Sequence, residues 1–230
     1  AVIRRWIMTS GHANALLVTT DNYNAGVTSL KDLKGKRIGI TQKGSTFHYM
    51  LGRMLKTQGM SLNDVEIIPL NKISAVMAAL ESKQIDGCIL NEPNVTKVQK
   101  AGYGKLVVQV GDVIPYQTSA VFYSPKFMQN KDAAERFMKA YVKACRYYYT
   151  ATVERKDEAK LNEVINITAK YVKAPPEDIK AGLPYIDKNG QLLTSDIQTQ
   201  IDWYTANNML SGKLQASDIA NTSFQEAATK

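Results

Sequence analysis

Arg37-Ile38-Gly39-Ile40-Thr41-Gln42-Lys43-Gly44-Ser45-Thr46-Phe47 is the stretch that decides the fold. Arg37–Ile40 is a short run ending in apolar residues, and Lys43–Thr46 is polar. Apolar residues then recur at Phe47, Leu51, Met54 and Leu55, the spacing of one helix face. The reading is strand, tight turn, helix. Ser45 or Thr46 can cap that helix, because a hydroxyl accepts one of the first-turn N–H groups that have no partner inside the helix. Gly59 closes it.

Outward from this unit the pattern repeats. Val65–Leu70 reads as a strand, and Ile73, Val76, Met77 and Leu80 mark a helix. Ile85–Leu90 is nearly continuous in apolar residues, as a strand buried on both faces requires. Lys105–Val110 is a further strand. Strands alternating with helices predict βαβ units and a mainly parallel sheet. On the N-terminal side, Val2–Met8 and Leu16–Thr19 are short apolar runs separated by Ser10-Gly11-His12, and Thr28–Lys36 is polar with one helical turn at most.

After Tyr116 the texture changes. Ser119–Tyr123 reads as a strand, and the rest as helices. Asp132–Thr152 carries a stripe of Phe137, Tyr141, Ala144, Cys145 and Tyr148. Leu161, Val164, Ile165, Thr168 and Val172 form a second stripe. Pro175-Pro176-Glu177-Asp178 begins a short third helix, with proline where no N–H is needed. Ser195-x-x-Gln198 has the form of a capping box opening a fourth, through Ile201 and Tyr204. The tail after Asn221 is expected to fray. The chain thus divides into an α/β unit over about residues 24–115 and a helical remainder. Two strands cannot cover four helix faces, so the rest of that sheet is expected before Ala1 or from another chain. The opening run Ala1–Met8 reads as a strand already under way, without initiator Met or signal-peptide regions, and a processed or truncated N-terminus is the expectation.

Composition narrows the class. The 230 residues are 44% hydrophobic and 22% charged, which disfavours disorder. No apolar run reaches the roughly 18 residues of a membrane helix. The net charge of +8 favours anionic partners. The lysines are scattered and only Lys31–Arg37 is dense, so no nucleic-acid partner is expected. Cys88 and Cys145 are read as two buried thiols, although a bridge stays open because it depends on a Cα separation within about 7 Å. Two cysteines with His12 and His48 lack metal-ligand spacing, so neither metal nor cofactor is expected.

Few residues invite chemistry. Gly44-Ser45-Thr46 precedes a helix, where free N–H groups and the positive dipole end can hold an anion; the plainer reading is a helix cap. It lacks the phosphate-loop and dinucleotide glycine patterns. Asn91-Glu92-Pro93 follows a buried strand at its carboxyl end, where open α/β sheets bind ligands. Its alternative is Asn91 as a cap with Glu92 facing the positive helix end. His12, His48 and Ser45 have no Gly-x-Ser-x-Gly elbow and no orienting Asp, so each histidine is read as solvent-facing or ligand-contacting rather than as a general base. Tyr147-Tyr148-Tyr149 points three ways on a helix and cannot form one platform. Trp6 and Trp203 are expected in the core.

Taken in order, Ser29–Ile40, Gly44–Tyr49, Ala78-Ala79-Leu80 with Gln84–Gly87, and Asn91-Glu92-Pro93 resemble the periplasmic solute-binding proteins of ABC transporters, in the nitrate/sulfonate/taurine group. Asn91 stands where that family usually has Trp. The resemblance implies a type II periplasmic-binding-protein-like α/β fold of two lobes joined by a hinge, with lobe 1 incomplete in this chain. Residues 1–20 would be the lobe 1 remnant and first crossing, 21–115 lobe 2, and 116–230 the return crossing and C-terminal helices of lobe 1. It implies ligand contacts at Ser10, Gly11, His12, Gly44, Ser45, Thr46, Asn91, Glu92, Tyr116, Gln117 and Thr118. It further implies non-catalytic capture of a small anionic or polar solute by a monomer, without cofactor, for a membrane ABC permease. The setting would be the periplasm, or the cell exterior as an anchored lipoprotein. Two other readings share the scaffold. A thiamine-pyrimidine synthase would carry a cysteine-rich run, which two distant cysteines do not supply. A ligand-sensing regulatory domain would need a helix-turn-helix upstream.

Overall fold

The computed structural model describes residues 13–230. The run Val2–Met8, with Trp6, and the candidates Ser10, Gly11 and His12 lie outside them. The chain divides into two compact units. One is α/β and spans residues 13–115 with Glu177–Pro184; the other is helical and spans Tyr116–Pro176 and Tyr185–Lys230.

The α/β unit is built on β1 (Asn14–Thr19), β2 (Arg37–Ile40), β3 (Glu66–Pro69), β4 (Gly87–Asn91) and β5 (Gly104–Gln109) in the order β3-β2-β4-β1-β5. β2 pairs in parallel with β3 and β4, whereas β1 runs antiparallel to both β4 and β5. Four strands therefore share one direction and β1 opposes them, so the sheet is mixed. Arg37–Ile40 and Ile85–Leu90 lie side by side in it, as the alternation of strands and helices predicts. All six residues of β1 are buried, which suits a strand with neighbours on both edges and helices on both faces.

The longer helices of this unit are α1 (Thr46–Thr57), α2 (Ile73–Glu81) and α3 (Asn94–Ala101). α1 buries Tyr49, Met50, Leu51, Met54 and Leu55. Val76, Ala79 and Leu80 of α2 and Val95 and Val98 of α3 form one core with Ala15, Leu17, Cys88 and Leu90. Glycine is required at Gly87, where a Cβ would stand 2.8 Å from the Leu17 carbonyl oxygen; at Gly39 a Cβ would stand 2.4 Å from Ile85 Cδ1, and that methyl would have to shift.

The helical unit contains α4 (Lys131–Tyr149), α5 (Glu158–Val172), α7 (Thr194–Ala206) and α8 (Ser223–Thr229), while α6 (Pro176–Ala181) belongs almost wholly to the α/β unit. Three expectations are corrected here. Ser119–Tyr123 forms no strand, because it has no ladder partner among the described residues; Phe122 stands 91% exposed. α4 buries Ala134, Met138, Val142 and Cys145, of which only Cys145 belongs to the predicted stripe; Phe137 is half-exposed and lies with Phe127 edge-on to Tyr123. α7 has Leu193 as its N-cap, with no side-chain bond there. The first turn is tied down by Gln117, whose Oε1 accepts the Leu193 N–H at 2.7 Å and whose own N–H donates to Asp196 at 2.7 Å. Trp203 is half-buried, edge-on to Tyr204. The three successive tyrosines do diverge: Tyr147 bonds Glu163, Tyr148 is largely buried, and Tyr149 meets Tyr185.

Candidate functional site

β2, β3, β4 and β5 all end at one edge of the sheet, and β1, running the other way, begins there. That edge gathers Gly44–Thr46, after β2, and Asn91–Glu92, at the end of β4. Asn14, the first residue of β1, faces Asn91 in register and is 5% exposed. Gln109 closes β5 opposite Ala15, with its Oε1 buried and without a hydrogen-bond partner among the described residues. Neither Asn14 nor Gln109 was legible as a site residue, since each is one polar residue at the end of an apolar run; only strand order and direction bring them to this edge.

The turn before α1 is built from its own polar groups. Ser45 is the N-cap, and its Oγ accepts the His48 N–H at 3.4 Å. A hydroxyl that accepts in this way retains its O–H for donation. The Gly44 N–H donates to His48 Nδ1 at 3.0 Å, which places the imidazole proton on Nε2. His48 is buried at 3% exposure, so it is not solvent-facing. Burial, helped by the positive charge of Lys43, holds its pKa below the ordinary value and keeps it neutral. Thr46 is exposed at the first helical position, and its hydroxyl makes no hydrogen bond to the described residues.

Glu92 is committed to α3: its Oε2 accepts both the N–H (3.1 Å) and the hydroxyl (2.9 Å) of Thr96. Asn91 Nδ2 donates to the Glu92 carbonyl at 3.0 Å, and Asn91 Oδ1 accepts from Asn94 at 3.3 Å. The Glu92 N–H bonds the Ala13 carbonyl at 2.9 Å, tying the corner to the start of β1. Tyr116, Gln117 and Thr118 belong to the helical unit. There Tyr116 is buried, Gln117 is occupied by Leu193, Asp196, Ser119 and Gln200, and Thr118 is exposed. Within one unit, then, the structure brings together Gly44–Thr46 with Asn91–Glu92.

The ionisable groups that could attack a substrate are poorly placed. Cys88 is fully buried in β4, which pushes its thiol up to about 12. Cys145, a second free thiol buried in the helical unit, is also raised, first by burial. Asp86 lies at the opposite edge of the sheet. Its carboxylate accepts from the Arg37 N–H at 2.8 Å and from the guanidinium at 2.9 and 3.1 Å, a staple between β2 and β4.

A five-stranded sheet with one opposing strand, bearing polar loops at its carboxyl edge, defines a type II periplasmic-binding-protein-like α/β fold. Solved structures agree. The sulfonate-binding protein SsuA of a putative sulfonate ABC transporter from Methylobacillus flagellatus KT matches with a TM-score of 0.73 at 18% identity, covering 96% of this chain and 66% of that one. The periplasmic nitrate-binding protein NrtA of Synechocystis PCC 6803 matches at 0.69 and 15%, covering 97% and 66%. The desulfurization enzyme DSZB shares the fold at 0.59 and 13%, covering 95% and 76%. The chain belongs to the NMT1/THI5-like family, whose model matches residues 7–154. A provisionally named binding protein of Brucella abortus (strain 2308) is 28% identical over 200 residues, which are 83% of this chain. The chain spans 58% of the length of that relative.

Proposed function

We propose that the protein captures a small anionic or polar solute outside the cytoplasm and passes it to the membrane permease of an ABC importer, without converting it. The observation that carries this reading is the turn Gly44–Thr46. First-turn N–H groups, the exposed Thr46 hydroxyl and the half-buried Ser45 hydroxyl are presented at the carboxyl edge of the sheet, beside the Asn91–Glu92 corner. Donors dominate there, and donors at a positive helix end suit a sulfonate, nitrate or carboxylate group. Family membership and the named binding functions of SsuA and NrtA support the same class of ligand. The burial of both thiols supports binding over nucleophilic chemistry. The protein acts as a monomer.

A thermal-shift panel of taurine, an alkanesulfonate, nitrate and benzoate tests this. A ligand at about 100 times its Kd stabilises a protein by about 2.7 kcal/mol. For a chain of this size that raises Tm by roughly 5–10 °C. The expected result is such a rise with one class of anion and recovery of the solute unchanged after release. A flat panel, or a chemically altered solute, contradicts the proposal.

A further inference from the structure

The chain returns to the α/β unit for eight residues, Glu177–Pro184, between two stretches of the helical unit. This strap is fastened to both ends of α3. At one end Lys100, in the last turn of α3, bonds Asp178, which is 7% exposed, and the neighbouring Ile179 is buried at 6%. At the other end Gly182 lies on Glu92. A Cβ on Gly182 would stand 2.5 Å from Glu92 Cγ, 2.6 Å from its Cβ and 2.9 Å from its Cδ. The strap therefore runs opposite to α3 and rests along the whole stem of the Glu92 side chain. That side chain is the one whose carboxylate caps Thr96.

We infer that Glu177–Pro184 is a clasp that pins Glu92 in its capping position and so sets the conformation of the Asn91–Glu92 corner. Glycine is needed at 182 because any side chain there would occupy the volume of the Glu92 stem. Lys100 is needed because Asp178 would otherwise be a buried carboxylate without its cation, which drives the strap outward. With the strap off, nothing of it holds the Glu92 stem over Thr96, and the first turn of α3 loses its cap. The clasp is a property of the α/β unit alone and stands whether or not a solute binds at this corner.

Hydrogen exchange on the intact chain, without ligand, tests it. Lys100→Met and Gly182→Ala should each speed exchange of the 178–183 amides about tenfold or more, and should speed the Thr96 amide with them. Lys100→Arg should keep both slow. Thr96→Val, which removes one capping contact without touching the strap, should leave 178–183 unchanged. Exchange that rises in the strap but not at Thr96 would overturn the inference, because the two would then be independent. No change in either segment would overturn it as well.

Discussion

Gly87→Ala is expected to lower the unfolding free energy by about 3 kcal/mol, at the upper end of what overpacking costs. The added methyl would meet the Leu17 carbonyl oxygen at 2.8 Å and Val18 Cγ1 at 3.1 Å. The first contact is with backbone in the centre of the sheet. Leu17 pairs with β4 on one side and β5 on the other, so it cannot retreat without straining two ladders. A flexible side chain could move aside; this oxygen cannot. Urea unfolding checks the value, and a loss under about 1 kcal/mol would mean that the β1–β4 register is not the one described.

Asp86→Ala should cost about 2–3 kcal/mol, below the 3–5 typical of a fully buried pair because the carboxylate is partly exposed. The loss leaves the Arg37 N–H without its carboxylate acceptor where β2 meets β4, and the guanidinium with the Lys83 carbonyl in place of an anion. The same group predicts a pH dependence. Burial raises the Asp86 pKa, but hydrogen bonds from Arg37 and Asn22 and the charge of Arg37 outweigh it, and the folded value lies below the ordinary one. A depressed folded pKa stabilises the protein above the unfolded pKa of about 3.9 and loses that contribution as pH falls through the folded value. Wild-type stability should therefore decline below about pH 4, and the Asp86→Ala profile should be flatter there. Parallel profiles would contradict the role given to Asp86.

The α/β unit was legible because each of its elements shows in local periodicity. Arg37–Ile40, the apolar positions of α1 and the run Ile85–Leu90 need no distant information. The direction of β1 was not legible, since a short apolar run looks the same parallel or antiparallel; its antiparallel insertion makes the sheet mixed. Ser119–Tyr123 has the residues of a strand, but a strand exists only with a partner. The α4 stripe was misjudged because Phe137 packs on Tyr123 and Phe127 of the preceding segment, and periodicity within the helix says nothing of that contact. At the site, the Ser45 cap follows from residue type alone. The commitment of Glu92 to Thr96 was half legible, as a negative side chain near a helix start. The hold of Gly182 on Glu92 joins residues 90 positions apart and leaves no local signal.

Calorimetric titration of the wild-type protein and of Thr46→Ala and Ser45→Ala, with the anion that gives the largest thermal shift, tests whether the turn before α1 holds the polar head of a solute. If the hydroxyls donate to that anion, losing one leaves a buried ligand oxygen short of a donor, at about 1–3 kcal/mol, or roughly 5–150-fold in affinity. A cap role alone would lower stability by about 1 kcal/mol and leave affinity nearly intact. The expected result is one-to-one binding weakened at least about fivefold by Thr46→Ala. Unchanged affinity in both variants, with only a lowered Tm, would contradict it.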